Sequence, residues 1–283
     1  MIIIRNILKT ASWLWTGLHV PARSDVIVLM YHRVTGDMPF ELDISFMVFK
    51  AQMVHLASLG AVISLEDAVS KLQRGERFER THYVITFDDA FEDFFTSAFP
   101  LLEELKLPVT LYVPTGFIEN PENPPISRKK FENSEKLKPV TWDMLKEIAQ
   151  SSLVTIGSHT HTHRELPSLN DREVLEELEI CDSILLNKLG KKIQHFAYPR
   201  GVWDYRIEDL VKNKYSTVTL AGGGTVLSSD FLSCRIPRVP VMRSDGLFWF
   251  KSRLANRLIH EDIFVAAAKN LIRKLDRKRA ISS

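Results

Sequence analysis

Short runs that are apolar at every position alternate along this chain with stretches whose apolar residues recur at helical spacing. Val26-Ile27-Val28-Leu29-Met30-Tyr31 is one such run, ending at His32-Arg33; a strand buried on both faces has this pattern. Phe46, Phe49, Met53, Leu56 and Leu59 then recur three or four apart until Gly60, which predicts a helix over 45–59. The same reading gives strands at 61–65, 83–87, 108–113, 154–157, 216–220 and 233–241, with helices at 66–73, 94–105, 141–149 and 207–213. Asn170-Asp171 caps a long helix ending near Leu189-Gly190. About seven strands with intervening helices predict an α/β fold. The segment 119–139 breaks the rhythm with Pro121, Pro124, Pro125 and Pro139 among charged residues, as a substrate-facing flap or a surface insertion would.

Composition narrows the class without naming a chemistry. The 283 residues suit one α/β barrel, which often takes about 200–250 residues. The expected plan is an N-terminal extension (1–24), a catalytic barrel (25–245) and a basic helical tail (246–283). A hydrophobic content of 45% with 25% charged residues excludes whole-chain disorder, and a net charge of +2 gives nucleic acid no support. Lys269, Arg273, Lys274, Arg277, Lys278 and Arg279 make the tail cationic, open to anionic lipid or polymer or simply solvated. Cys181 and Cys234 lack metal or disulfide spacing and are expected to be buried thiols. Residues 1–20 are too short and polar to span a bilayer; a signal peptide, an interfacial anchor carrying Trp13 and Trp15, and a helix covering the barrel bottom all fit. Cytoplasmic or peripheral inner-membrane placement is favoured, with secretion left open.

The chemistry gathers where strands are expected to end. Asp88-Asp89 closes the run 83–87, and Ser158-His159-Thr160-His161-Thr162-His163 follows the run 154–157. Adjacent carboxylates repel unless a cation or a proton divides their roles. A metal held by Asp89 and two histidines would divide them, leaving Asp88 to take a proton from water, which is a hydrolase in outline. As a strand, the histidine run would place 159, 161 and 163 on one face and suggest a three-histidine site. His32, Asp88-Asp89, His159, His163 and Tyr198 all occupy such ends, where barrel enzymes collect their catalytic groups.

Thr86-Phe87-Asp88-Asp89-Ala90, Gly157-Ser158-His159-Thr160-His161-Thr162-His163 and Phe196-Ala197-Tyr198-Pro199-Arg200-Gly201 resemble the first three motifs of the polysaccharide deacetylases, carbohydrate esterase family 4. The resemblance runs from residue 26 to about 241. Met30-Tyr31-His32-Arg33-Val34 is similar to the opening of the bacterial exopolysaccharide-biosynthesis branch. Membership implies a distorted (β/α) barrel and metal-dependent removal of N-acetyl groups. It implies Asp88 as general base, Asp89, His159 and His163 as metal ligands, and the Tyr198 N–H as oxyanion donor; His161 is not a family ligand. The Leu-x-x-His motif that many members carry near the C-terminus is not matched there, since Leu258-Ile259-His260 has the wrong spacing, and His32 is expected to take the role of general acid. Ala90 replaces a usual glycine, Ala197 stands where many members carry an arginine that orients the base, and Arg200 replaces an aromatic and is expected to meet an anionic substrate or Asp88. The expected cofactor is one divalent metal, with zinc ahead of cobalt, nickel and manganese. The expected partner is an N-acetylhexosamine-containing glycan or glycolipid. The alternatives are a deacylase of a lipid-linked or small sugar precursor and a noncatalytic glycan-binding domain.

Overall fold

Seven strands, β1 (Val26–Tyr31), β2 (His82–Phe87), β3 (Val109–Val113), β4 (Val154–Ser158), β5 (His195–Ala197), β6 (Thr217–Thr219) and β7 (Val239–Pro240), form one parallel sheet in the order β6-β5-β4-β3-β2-β1-β7. This computed structural model describes residues 2–17, 25–76, 78–126, 134–222, 224–258, 260, 261 and 264. The helices are α1 (Ile2–Gly17), α2 (Phe46–Leu59), α3 (Leu65–Gln73), α4 (Phe99–Glu104), α5 (Thr115–Glu119), α6 (Trp142–Gln150), α7 (Asp171–Leu189), α8 (Tyr205–Val211) and α9 (Gly246–Leu254). Every residue of β1 and β3 is buried, as a parallel sheet covered on both faces requires. Tyr31 stacks on Phe87 at 5.3 Å while Phe49 of α2 meets both rings edge-on, which pins α2 against the β1–β2 pair.

The sheet curls, and one segment bridges its open side. Val218 and Leu220 donate to the carbonyls of Ser233 and Ile236, each at 2.8 Å, so the stretch after β6 first pairs with β6. Three residues later β7 lies beside Leu29 and Met30 of β1, and Val241 donates to Met30 at 3.0 Å. The predicted strand 233–241 is therefore split between two partners. Pro237 and Pro240 explain the split, because neither has an N–H to sustain a ladder. The result is the distorted barrel expected from the sequence.

Other departures have equally local causes. The expected strand 61–65 shrinks to a bridge between Val62 and Tyr83, since Ser64 already caps α3 by accepting from the Asp67 N–H. The expected helix 94–105 divides into a π-helical turn, Phe94–Ala98, and α4. Pro100 cannot donate to the preceding turn, and the Phe99 N–H bonds back to Phe94 instead. The predicted cap of α7 is present as a full capping box between Asn170 and Glu173, with Gly190 left-handed at the other end. Cys181 is buried and Cys234 only half-buried. Of the helix read over 247–279, α9 lies among the described residues; 265–283 lies outside them. No helix of the described residues is long and apolar enough to cross a membrane.

Candidate active site

The carboxyl ends of β1, β2 and β4 deliver His32, Asp88-Asp89 and His159 to one place. Asp88 continues β2, its N–H donating to the Tyr31 carbonyl at 3.0 Å, and the chain then turns sharply, with Asp89 at φ 73° and Ala90 at φ 49°. Both lie in the left-handed region that disfavours a Cβ, so a glycine would suit position 90 and alanine occupies it under strain. After β4 the histidine run is also a turn, not a strand, with positive φ at Thr160 and His163. That removes the single face on which three histidines would have met.

Asp89, His159 and His163 each bring one ligand atom within 4.8 Å of the others, and all three are buried. Asp89 Oδ1 lies 3.3 Å from His163 Nε2 and 3.6 Å from His159 Nε2. Two bonds of about 2.0–2.1 Å at a tetrahedral angle place their ligand atoms roughly 3.3 Å apart, so the spacing fits a small divalent cation. The chemistry of the three side chains fits as well. Asp89 Oδ1 is buried with no hydrogen-bond partner, a state that is expensive for a carboxylate lacking a cation. Burial, and then the neighbouring Asp88 charge, push the Asp89 carboxyl well above its ordinary range. Burial holds both imidazoles toward the neutral form that ligation needs, with His159 and Arg200 adding to the effect on His163. His159 Nδ1 meets the Ala197 carbonyl at 2.8 Å, which assigns that nitrogen the proton and leaves the Nε2 lone pair free to ligate a cation.

His161 turns away from this group. Its Nδ1 meets Thr115 Oγ1 at 2.9 Å, its N–H donates to the Glu177 carbonyl, and its own carbonyl accepts from Gly116 at 2.8 Å. A Cβ at position 116 would stand 2.7 Å from that carbonyl, so the contact requires glycine. Glu177, from α7, accepts from the Thr162 N–H at 2.7 Å and from the Thr162 hydroxyl. Between them, Gly116 and Glu177 fix the loop that joins His159 to His163.

Asp88 has a different partner from those expected. Arg238, fully buried just before β7, donates through Nη1 and Nη2 to the two Asp88 oxygens at 2.6 and 2.8 Å. Its Nε donates to the Leu220 carbonyl at 2.9 Å, Nη1 also reaches Thr86 Oγ1, and the guanidinium lies over the Tyr112 ring at 5.2 Å. Burial alone would raise the Asp88 carboxyl, but the Arg238 fork, helped by His159 and His32, holds it well below the usual carboxylate range. Arg238 thus holds both Asp88 oxygens, as an arginine at the position of Ala197 was expected to do. The signal was Arg235-Ile236-Pro237-Arg238-Val239-Pro240, a cation inside a strand-like apolar run; nothing local told which acid it would meet.

The other expected residues stand near the group in distinct ways. His32 Nε2 is 3.9 Å from Asp88 Oδ2. Arg200, at φ 56°, donates to the Pro125 carbonyl at 3.3 Å and lies 4.0 Å from Glu165; the expected contact with Asp88 is taken by Arg238. The Tyr198 N–H, expected as an oxyanion donor, instead donates to the Thr219 carbonyl at 3.3 Å, because Tyr198 still follows the β5–β6 pairing. Asn120, Asn123 and Pro125 from the proline-rich loop line a cavity of about 220 Å³ together with His161, Thr162 and His163. The described part of that loop thus borders the histidine turn, while residues 127–133 lie outside the described residues.

Residues 75–218 match the family of polysaccharide deacetylases. The chain belongs to that family. It is 24% identical over 212 residues to the poly-β-1,6-N-acetyl-D-glucosamine N-deacetylase of Staphylococcus aureus, an alignment covering 71% of this chain and 67% of the relative. It is also 24% identical over 193 residues to a putative polysaccharide deacetylase of Bacillus subtilis, covering 68% of this chain and 61% of that one. Among solved structures, the Streptococcus pyogenes deacetylase PplD superposes with a TM-score of 0.69 at 19% identity, over 82% of this chain and 99% of that one. IcaB from Ammonifex degensii superposes at 0.67 with 23% identity, over 83% and 97%. These structures share the curled parallel sheet, so the deacetylase is a (β/α) barrel by fold as well as by family.

Proposed function

We propose that this deacetylase removes N-acetyl groups from a polysaccharide rich in N-acetylglucosamine, through a divalent metal bound by Asp89, His159 and His163. The observation that carries the reading is the division of labour between adjacent carboxylates. Asp88 is saturated by Arg238, and Asp89 is buried beside two neutral imidazoles without a donor. The substrate class follows the named activity of the Staphylococcus aureus relative. Zinc leads among the candidate ions, as a three-ligand site of this kind suits it.

Asp88 acts as general base and His32 as general acid. Arg238 keeps Asp88 ionised but also makes it a weak base, so it needs an acidified water, the chemistry a bound divalent metal supplies. Asp88 takes the water's proton and Arg238 holds both carboxylate oxygens in place as it does so. His32, 3.9 Å from Asp88, returns a proton to the amine as it leaves. Arg200, with its side chain 52% exposed beside Glu165 and Pro125, contacts the glycan at the rim. The Tyr198 N–H serves the oxyanion by exchanging its long bond to Thr219. Residues 25–245 form the catalytic unit, with 1–24 and 246–283 as extensions.

The test is Asp88→Asn in the metal-loaded protein, assayed for acetate release from N-acetylglucosamine oligomers. Metal stoichiometry should persist while the rate falls about 10³-fold. Undiminished release would remove Asp88 from the chemistry.

A further inference from the structure

Helix α1 is amphipathic in the reverse of the usual sense. A surface helix turns its apolar stripe to the core and its charges to water. Here Lys9 is fully buried, its Nζ 2.8 Å from Asp245 Oδ1 and 2.7 Å from Ser244 Oγ. Arg5 donates to Glu261 at 2.8 Å, and the Ser12 and Thr16 hydroxyls both donate to the Arg257 carbonyl at 3.0 Å. Residues 5, 9, 12 and 16 form one face at helical spacing. The opposite face presents Ile7, Leu14 and Trp15, which are 64%, 57% and 61% exposed. On the flank between the two faces Trp13 is half-buried against α9, its ring 6.1 Å from that of Phe248, itself 58% exposed. The ion pairs beneath prevent the helix from rolling its apolar side inward.

We infer that α1 and the start of α9 form a surface that docks on an anionic lipid bilayer. Two observations select lipid over a second copy of the chain. Tryptophan beside aliphatic residues on one helix face suits the boundary between headgroups and acyl chains. The same region is cationic: Arg243 and Lys251 are exposed, and the Arg257 guanidinium lies over Trp13 at 5.8 Å. Two such faces would bring like charges together, whereas an anionic headgroup layer neutralises them.

The surface is also tied to the catalytic end of the barrel. Ser244 and Asp245 follow β7, and Glu41, 3.9 Å from Arg5, belongs to the loop after β1, beyond His32. Docking would hold the catalytic mouth close to the bilayer.

The experiment is flotation of the full-length protein with vesicles of phosphatidylcholine alone or with phosphatidylglycerol, compared with the Leu14→Gln/Trp15→Gln double variant. Both positions are exposed, so the variant should fold and deacetylate a soluble oligosaccharide like the wild type. Wild type should float with the phosphatidylglycerol vesicles, and the variant should partition about tenfold less. No flotation of the wild type, or equal flotation of the two, would overturn the inference. A wild-type dimer in light scattering that the double variant abolishes would overturn it too, by giving the face to a second copy. Flotation does not depend on catalysis, so its failure would leave the deacetylase reading untouched.

Discussion

Two buried ionic clusters in this protein use the same kinds of side chain and reach opposite electrostatic states. Beneath α1, Arg5, Lys9 and Arg253 face Asp245 and Glu261, and each charge has a partner within 3.2 Å. Lys9 and Arg253 outweigh the cost of burying the Asp245 carboxyl and hold it down to about 2. At the strand ends, Asp88 and Asp89 share Arg238, and Asp88 takes both arms of its fork. Asp89 Oδ1 is left with nothing but imidazole edges. A closed cluster has no unpaired charge to offer a ligand. One that leaves a buried carboxylate oxygen without a donor has the chemistry to hold a cation there.

Breaking the two clusters should therefore have different consequences. Arg238→Met leaves Asp88 buried and unpaired, which should cost about 3–5 kcal/mol of stability in denaturant titrations. It should also move the acidic limb of the activity profile to higher pH, because the carboxylate loses the charge that keeps it ionised. An unchanged acidic limb would show that Arg238 does not control the base.

His195, which belongs to neither cluster, separates the pH dependence of folding from that of catalysis. Burial lowers its imidazole from 6.5 to about 4. Between those values the unfolded chain takes a proton that the folded one refuses, so stability falls as pH falls, by up to about 3 kcal/mol. His195→Gln should flatten that slope in urea midpoints measured from pH 7 to pH 4.

Lys9→Met tests the closed cluster. Asp245 keeps Arg253, so the loss should be about 2 kcal/mol, with acetate release from soluble oligosaccharide unchanged; a fall in turnover at equal folding would show the two clusters to be coupled. The smallest effect concerns strain. Ala90→Gly should relieve the left-handed alanine and raise stability by about 0.5 kcal/mol, read from thermal unfolding.

Much of the fold was legible because its signals are local. The apolar run 26–31, the Asn170 cap and Gly190 each specify an element within a few residues. The split of 233–241 was only half legible: the two prolines were in view, but which strand each half would pair with depended on how far the sheet curled. For the site, Asp88-Asp89 and the histidine run stood at visible strand ends. The place of His161 was settled by positive φ at Thr160 and His163 and by the approach of Gly116, neither of which shows in a pattern of side-chain types.

The order of residues by itself determined the alternation of strands and helices, the delivery of acids and imidazoles to strand ends, and an N-terminal segment of mixed polarity. Tertiary structure alone decided that Arg238, 150 residues from Asp88, pairs with it, and that α1 turns its charges inward. Periodicity reports which residues share a face, but an ion pair forms wherever chain closure brings opposite charges together out of water. That meeting is a property of the closed barrel and has no local signature.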